Sequence, residues 1–158
     1  MSNPRVTVLM AMYNAAAHLQ AAIESVRAQT FADFEFLIVD DGSTDDSAAI
    51  AEGCGDKRIR VIRNAQNRGQ TACLNQGLAE ARGEWVARQD ADDLSAPERL
   101  AQQLAHMKAQ PETALLGTGA WQIDGDGRTL GQVHVPTEPW AIRWQNLFDN
   151  SFLHSAPR

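Results

Sequence analysis

Hydrophobicity along this chain switches four times between short unbroken apolar runs and helical stripes, and few folds accept that pattern. Val6 to Tyr13 (VTVLMAMY) is a continuous apolar run of strand length, as expected for a strand covered on both faces. Asn14 is placed to cap AAAHLQAAIESVRAQ, where Leu19, Ile23 and Val26 recur at helical spacing. Phe34 to Val39 (FEFLIV) repeats the strand pattern and ends at Asp40-Asp41-Gly42. Ser43 and Thr44 offer caps for a short helix through Ile50 that breaks at Gly53 and Gly55. Ile59 to Ile62 (IRVI) is a third strand, and the loop NAQNRG leads to a helix with Leu74, Leu78 and Ala81 on one face. Gly83 stands where a glycine commonly stops a helix. Glu84 to Gln89 (EWVARQ) is the fourth strand and delivers Asp90, Asp92 and Asp93. Ser95 and Glu98 then form a capping box, with Pro97 in the first turn and Leu100, Leu104 and Met107 as the buried stripe.

Four strand–helix alternations predict an α/β fold: an open, doubly wound, mostly parallel sheet with helices on both faces. The commonest order for four such units, 3-2-1-4, sets the first and fourth strands side by side. After Pro111 the pattern changes. TALLGTGAWQI and RTLGQVHV flank Asp124-Gly125-Asp126-Gly127, a hairpin turn signal, so a C-terminal β-hairpin is expected as an insertion. The length of 158 residues suits a single domain over 1–158.

A net charge of -6 argues against a nucleic-acid partner, which needs a basic face. Cys54 and Cys73 lack any CxxC spacing and read as free thiols of a reducing compartment. The opening MSNPRVTVLMAMYN has no basic segment followed by a long apolar core, so it is not a secretion signal. No run of 18 apolar residues offers a transmembrane segment. A cytoplasmic protein is expected.

Ligands of open α/β sheets sit beyond the carboxyl ends of the strands, where strand order reverses. Tyr13-Asn14, Asp40-Asp41, Asn67-Arg68-Gly69 and Asp90-Ala91-Asp92-Asp93 all fall on that edge. Two carboxylates about 4 Å apart repel by about 4 kcal/mol at an effective dielectric near 20, so the last group needs solvent, a proton or a cation. By itself the Asp stretch reads equally as a solvated first turn of a helix or as a divalent-metal site. The gathering of four polar clusters on one edge favours a site. Neither GxxxxGK[ST] nor GxGxxG follows the first strand, so no glycine loop cradles phosphates. A Mg²⁺-like ion held by one or two carboxylates and completed by phosphate oxygens is the alternative. DADDLSAPE lacks the sixth-position glycine of an EF-hand loop.

VTVLMAMYN, FEFLIVDDGSTDD, NRGQTACLNQGL and ARGEWVARQDADDLSAPERL, in this order and spacing, closely resemble the family-2 glycosyltransferases of the GT-A fold. The match runs from about Val6 to Leu104 and includes the D-x-D element as Asp90-Ala91-Asp92. The resemblance implies sugar transfer from a nucleoside-diphosphate donor, with inversion, to an acceptor such as a growing cell-surface polysaccharide or a lipid-linked glycan. It implies that Ala11 and Tyr13 line the nucleotide, with Tyr13 stacking on or flanking the base. Asp41, with Asp40 beside it, matches the carboxylate that reads the uracil edge; Asn67 and Arg68 fall in the loop closing over base or phosphates. Asp90, Asp92 and Asp93 match the metal element, with Asp92 or Asp93 as the direct ligand and Mn²⁺ or Mg²⁺ as cofactor. A metal there acts as a Lewis acid on the departing diphosphate. A carboxylate that accepts a base N–H favours a UDP-sugar over its CDP counterpart.

The family carries its catalytic base on a late acidic segment, beyond the position matching HSAPR. The base is therefore expected beyond Arg158, the chain being either the donor-binding part of a longer protein or naturally incomplete, and Asp149 stands in the wrong context. A non-catalytic nucleotide-sugar-binding module is the alternative. Phe148, Phe152 and Leu153 are expected to be poorly covered and to favour a homo-oligomer; the acceptor class implies peripheral attachment at the inner membrane face. Arg88 and Arg99 read as packing or as ion pairs with the Asp cluster, and Trp140, Trp144 and Leu147 as packing residues at helical spacing. His18, His106 and His134 have no ligand spacing. A phospho-receiver domain would place acids where Tyr13-Asn14 stand, and a nucleotidyltransferase a glycine- and Arg-rich loop where NAAAHLQ stands.

Overall fold

In a computed structural model, residues 3–138 and 140–142 are described. The chain divides into two compact units, Met1–His106 and Met107–Arg158. The first alternates strand and helix: β1 (Val6–Met12), α1 (Ala16–Arg27), β2 (Phe34–Asp40), α2 (Ser47–Gly53), β3 (Ile59–Arg63), α3 (Gln70–Glu80), β4 (Trp85–Asp90) and most of α4 (Arg99–Ala109), whose last three residues belong to the second. The strands form one parallel sheet in the order β3-β2-β1-β4, as the alternation predicts. β2 is buried along its whole length and β1 at every residue but Ala11, which explains their unbroken apolar runs.

Strand alternation sorts the core into two faces. Val8, Met10, Phe36 and Ile38 pack with Leu19, Ile23 and Val26 of α1 and with Leu100 and Leu104 of α4. Leu9, Leu37 and Val39 point the other way, onto Cys73 of α3. There α3 comes so close that a Cβ on Gly77 would lie 2.2 Å from Leu9 Cδ1. The buried face of α3 is therefore Cys73 and Gly77, whereas Leu78 is 53% exposed and Ala81 lies past the helix end. Of the Leu74–Leu78–Ala81 face expected from spacing, Leu74 packs against this cluster, and Leu78 and Ala81 are replaced by Cys73 and Gly77: close approach needs small residues.

The local stop and cap signals are also reassigned. Gly83 has no positive φ; a Cβ there would sit 2.3 Å from Thr7 N and 2.5 Å from Val6 C, so it serves backbone contact instead of helix termination. Asn14 does not cap α1. It adopts φ 48°, and its Oδ1 accepts the Thr44 N–H (2.8 Å) and hydroxyl (3.3 Å). Ser43 Oγ accepts the Asn14 N–H (3.0 Å), Ser47 Oγ the Ala15 N–H (2.8 Å) and Asp45 Oδ2 the Ala16 N–H (3.1 Å). The start of α1 is thus capped from the loop after β2, which latches two loops of the carboxyl edge together. Asp45 Oδ1 in turn accepts the Ser47 N–H at the start of α2 (3.0 Å) and the Ser47 hydroxyl, so Ser43 and Thr44 are not that helix's caps. The Ser47 hydroxyl, against the opposing effect of burial, holds Asp45 below the usual carboxylate range.

The second unit contains β5 (Ala120–Ile123) and β6 (Thr129–Val133), paired antiparallel as expected. Asp124 Oδ1 accepts the N–H groups of Asp126 (3.0 Å) and Arg128 (2.9 Å), and Gly127 supplies φ 80°. Trp140 is exposed. Trp144, Leu147, Phe148, Asp149, Phe152 and Leu153 lie outside the described residues. Among the described residues, no helix is long and apolar enough to cross a membrane.

Candidate functional site

All four strands of a parallel sheet deliver their carboxyl ends to one edge, and register decides which ends are neighbours. Met12 pairs with Asp40, Asp40 with Arg63, and Ala11 with Asp90. Strand order reverses between β1 and β4, which run parallel, so Tyr13 and the Asp90–Asp93 segment flank the switch point. Tyr13 is 47% exposed there, a large ring in reach of a ligand, while Ala11 is half-buried beneath it in the strand.

Asp41 organises one side of this edge. Its side chain is buried, yet Oδ1 accepts the Arg68 N–H (2.9 Å) and Asn64 Nδ2–H (3.3 Å), and Oδ2 accepts the Gly69 N–H (2.7 Å). Asn64 Nδ2 also donates to Cys73 Sγ (3.3 Å). Burial alone would push the Asp41 carboxyl up. The Cys73 thiol, the two N–H groups and the Asn64 amide outweigh it and hold the carboxyl below its usual range. The same contact and burial push the Cys73 thiol up to about 12, so it stays protonated as a donor. Asp41 therefore clamps the 64–69 loop from beneath, which leaves the side chains of Asn67 and Arg68 exposed on top. Asn67 Oδ1 also accepts the Gly69 N–H (3.1 Å). Neither Asn64 nor Cys73 was singled out by sequence; the anionic oxygens that bind them carry no local spacing signal.

Asp40 differs from its neighbour. It is fully buried, with Oδ1 accepting the Ser43 N–H (3.0 Å) and Oδ2 lying 3.4 Å from Arg63 Nε. Strand alternation turns it into the protein, where these contacts tie the loop after β2 to Arg63.

On the other side of the switch point, Asp92 is exposed and Asp93 half-buried on the turn after β4. The Asp90 carboxylate is held by Arg88, whose Nε donates to Oδ1 (3.1 Å) and whose terminal nitrogen donates to Oδ2 (3.3 Å). Residues two apart on a strand share a face, which brings this pair together. Arg99 donates to the Arg88 carbonyl (3.2 Å); burial lowers its pKa and nearby Asp93 opposes that. The two arginines thus sit with the Asp cluster.

Among the described residues, no three His, Cys, Asp or Glu side chains converge to hold a metal ion. Asp90, Asp92 and Asp93 are thus not drawn into one three-carboxylate cluster, and Asp90 pairs with Arg88. The hard oxygen donors of the turn do fit a divalent cation that takes one or two carboxylates and completes its shell with phosphate oxygens.

A sequence model of the family "Glycosyl transferase family 2" matches residues 7–155. The putative glycosyltransferase EpsE of Bacillus subtilis is 38% identical over 141 residues, covering 87% of this chain and 50% of that protein. The crystal structure of S. aureus TarS 1-349 in complex with UDP aligns with TM-score 0.65 and 29% identity, covering 68% of this chain and 33% of that one. The mannosyltransferase PcManGT from Pyrobaculum calidifontis, in complex with GDP-Man and Mn²⁺, aligns with TM-score 0.61 and 26% identity, covering 78% and 37%. The chain spans half the length of EpsE and a smaller share of the other two.

Proposed function

The chain belongs to glycosyl transferase family 2, and we propose that it carries the donor-binding part of an enzyme transferring a sugar from a nucleoside diphosphate, with inversion, to a glycan or lipid-linked acceptor. The observation that carries this reading is the pair of elements across the switch point: a loop clamped by Asp41 and a turn presenting Asp92 and Asp93. Tyr13 flanks the base, Ala11 leaves room beneath it, and Asn67 with Arg68 closes over base or phosphates. The 1–158 segment is read as one nucleotide-sugar-binding domain with the hairpin as its insertion.

Asp92 and Asp93 would hold Mn²⁺ or Mg²⁺, which when bound neutralises charge developing on the leaving diphosphate. Asp90 stands one step back, its charge balanced by Arg88. A carboxylate offers about four lone-pair sites, and Asp41 already serves four donors of its own chain. A base N–H is read by displacing the weakest of these, the 3.3 Å Asn64 contact. Uracil and guanine present a ring N–H to a carboxylate where cytosine N3 presents a lone pair, which favours UDP over CDP. No described residue is assigned as the base that deprotonates the acceptor. A cytoplasmic setting with peripheral membrane attachment follows from this acceptor class.

Titration calorimetry with UDP in Mn²⁺, and again in EDTA, tests the reading. Affinity should fall strongly in EDTA, and Asp92→Ala should abolish the difference. Equal affinity with and without metal would overturn it.

A further inference from the structure

We propose that Gln89, backed by Ser95, is a positioning residue that holds the Asp90–Asp93 turn in the shape that receives the metal–diphosphate; this rests on the donor-site reading above. The turn is weakly closed by its own backbone. The Asp93 N–H reaches the Asp90 carbonyl at 3.4 Å, beyond the usual range for such a bond. Gln89 supplies what the backbone lacks. Its Nε2 donates to both terminal carbonyls of the turn, Asp90 at 3.1 Å and Asp93 at 2.8 Å. Both amide hydrogens of a buried side chain, 3% exposed, are thus spent on the one turn that carries the candidate ligands.

The other end of the amide is fixed as well. The Ser95 hydroxyl donates to Gln89 Oε1 at 2.6 Å. Ser95 N–H donates to Ser25 Oγ at 3.0 Å, and the Ser25 hydroxyl donates to the Ala22 carbonyl of α1 at 2.7 Å. A continuous hydrogen-bond path therefore ties the turn to the most deeply packed helix of the unit. Gln89 lies beside Met10 in the sheet, on the face of the larger core, opposite in sense to the neighbouring Asp90. An unbranched apolar side chain such as Met would fill that space equally well. What the amide adds is a fixed turn, so that Asp92 and Asp93 need not be ordered when the ion arrives. Groups that orient ligands from behind typically change metal affinity by roughly 10–100-fold when removed.

The test compares the chain with its Gln89→Met and Ser95→Ala variants. UDP binding is followed by calorimetry over a series of Mn²⁺ concentrations, free Mn²⁺ by electron paramagnetic resonance, and UDP affinity in EDTA serves as the control. Gln89→Met should raise the half-saturating Mn²⁺ concentration by about tenfold or more. Ser95→Ala should move it in the same direction by less, and neither should change UDP affinity in EDTA. If Gln89→Met fails to fold by circular dichroism, Ser95→Ala decides on the same criterion, because its hydroxyl touches only Gln89 in this network. Unchanged half-saturation in the folded variants overturns the inference while leaving the donor site standing. An equal loss with and without metal shows general loosening and also overturns it. A parent chain with no Mn²⁺ dependence at all overturns the donor-site reading and this inference together.

Discussion

Replacing Asp41 by Asn removes one charge and almost no volume, so the cost can be worked from the hydrogen bonds. Oδ1 accepts the Arg68 N–H and the Asn64 amide; Oδ2 accepts the Gly69 N–H. If the new amide oxygen takes the Oδ1 position, its NH₂ faces the Gly69 N–H; turned round, it faces Arg68 and Asn64. Either way a buried donor meets a donor, and one left unpaired costs about 1–3 kcal/mol. The surviving bonds also lose their charge assistance, which roughly halves each. A loss of about 2–4 kcal/mol at pH 7 follows. The pH dependence gives a second check. Burial opposes ionisation of Asp41, but the Cys73 thiol, the Arg68 and Gly69 N–H groups and Asn64 lower its folded pKa on balance. A carboxylate with a lowered folded pKa contributes stability above its unfolded pKa, and that contribution is lost as pH falls through the folded value. The deficit of Asp41→Asn in urea unfolding should be full at pH 7 and shrink below about pH 4. A protonated Asp41 presents the same mismatch as Asn. A deficit below about 0.5 kcal/mol at pH 7, or one unchanged at pH 3, would refute the clamp.

Asp56, with the Arg58 side chain donating to it, ionises with a pKa of about 2. Asp56→Ala should therefore cost about 2 kcal/mol at pH 7, a deficit that shrinks below about pH 4 and is lost only as pH falls through the folded value near 2, measured by thermal or urea unfolding. Gly83→Ala forces a methyl group into the backbone of Thr7 and Val6, so a loss of about 3 kcal/mol or more is expected from urea unfolding. At Gly77→Ala the nearest atoms belong to the Leu9 side chain instead of backbone, so repacking can absorb part of the clash and the cost should be less, about 1–3 kcal/mol. If the two glycines tolerate alanine equally, the distinction between backbone and side-chain contact is wrong.

Apolar period and turn chemistry were enough to read the strands, their parallel pairing and the edge that collects the polar clusters. Each of those is a property of a local window: a doubly covered strand needs an unbroken apolar run, and βα units leave their strand ends on one side. The hairpin at Asp124–Gly127 was legible for the same reason, since Asp124 bonds only its own turn. The cap residues misled because a cap is chemically just an oxygen near an N–H. Asn14 and Ser95 carry the right atoms but direct them to Thr44 and Gln89, while α1 takes its caps from Ser47 and Asp45, some thirty positions away. Gly83 showed the spacing of a helix stop, yet what demands a glycine there is the backbone of Thr7, seventy-six positions earlier. The site followed the same division. The edge on which its candidate residues gather was legible in the sequence, because strand ends are placed by topology. Which carboxylate faces solvent, which clamps a loop and which pairs with an arginine was decided by the tertiary structure, because a charge takes whichever partners packing brings within about 3 Å of it.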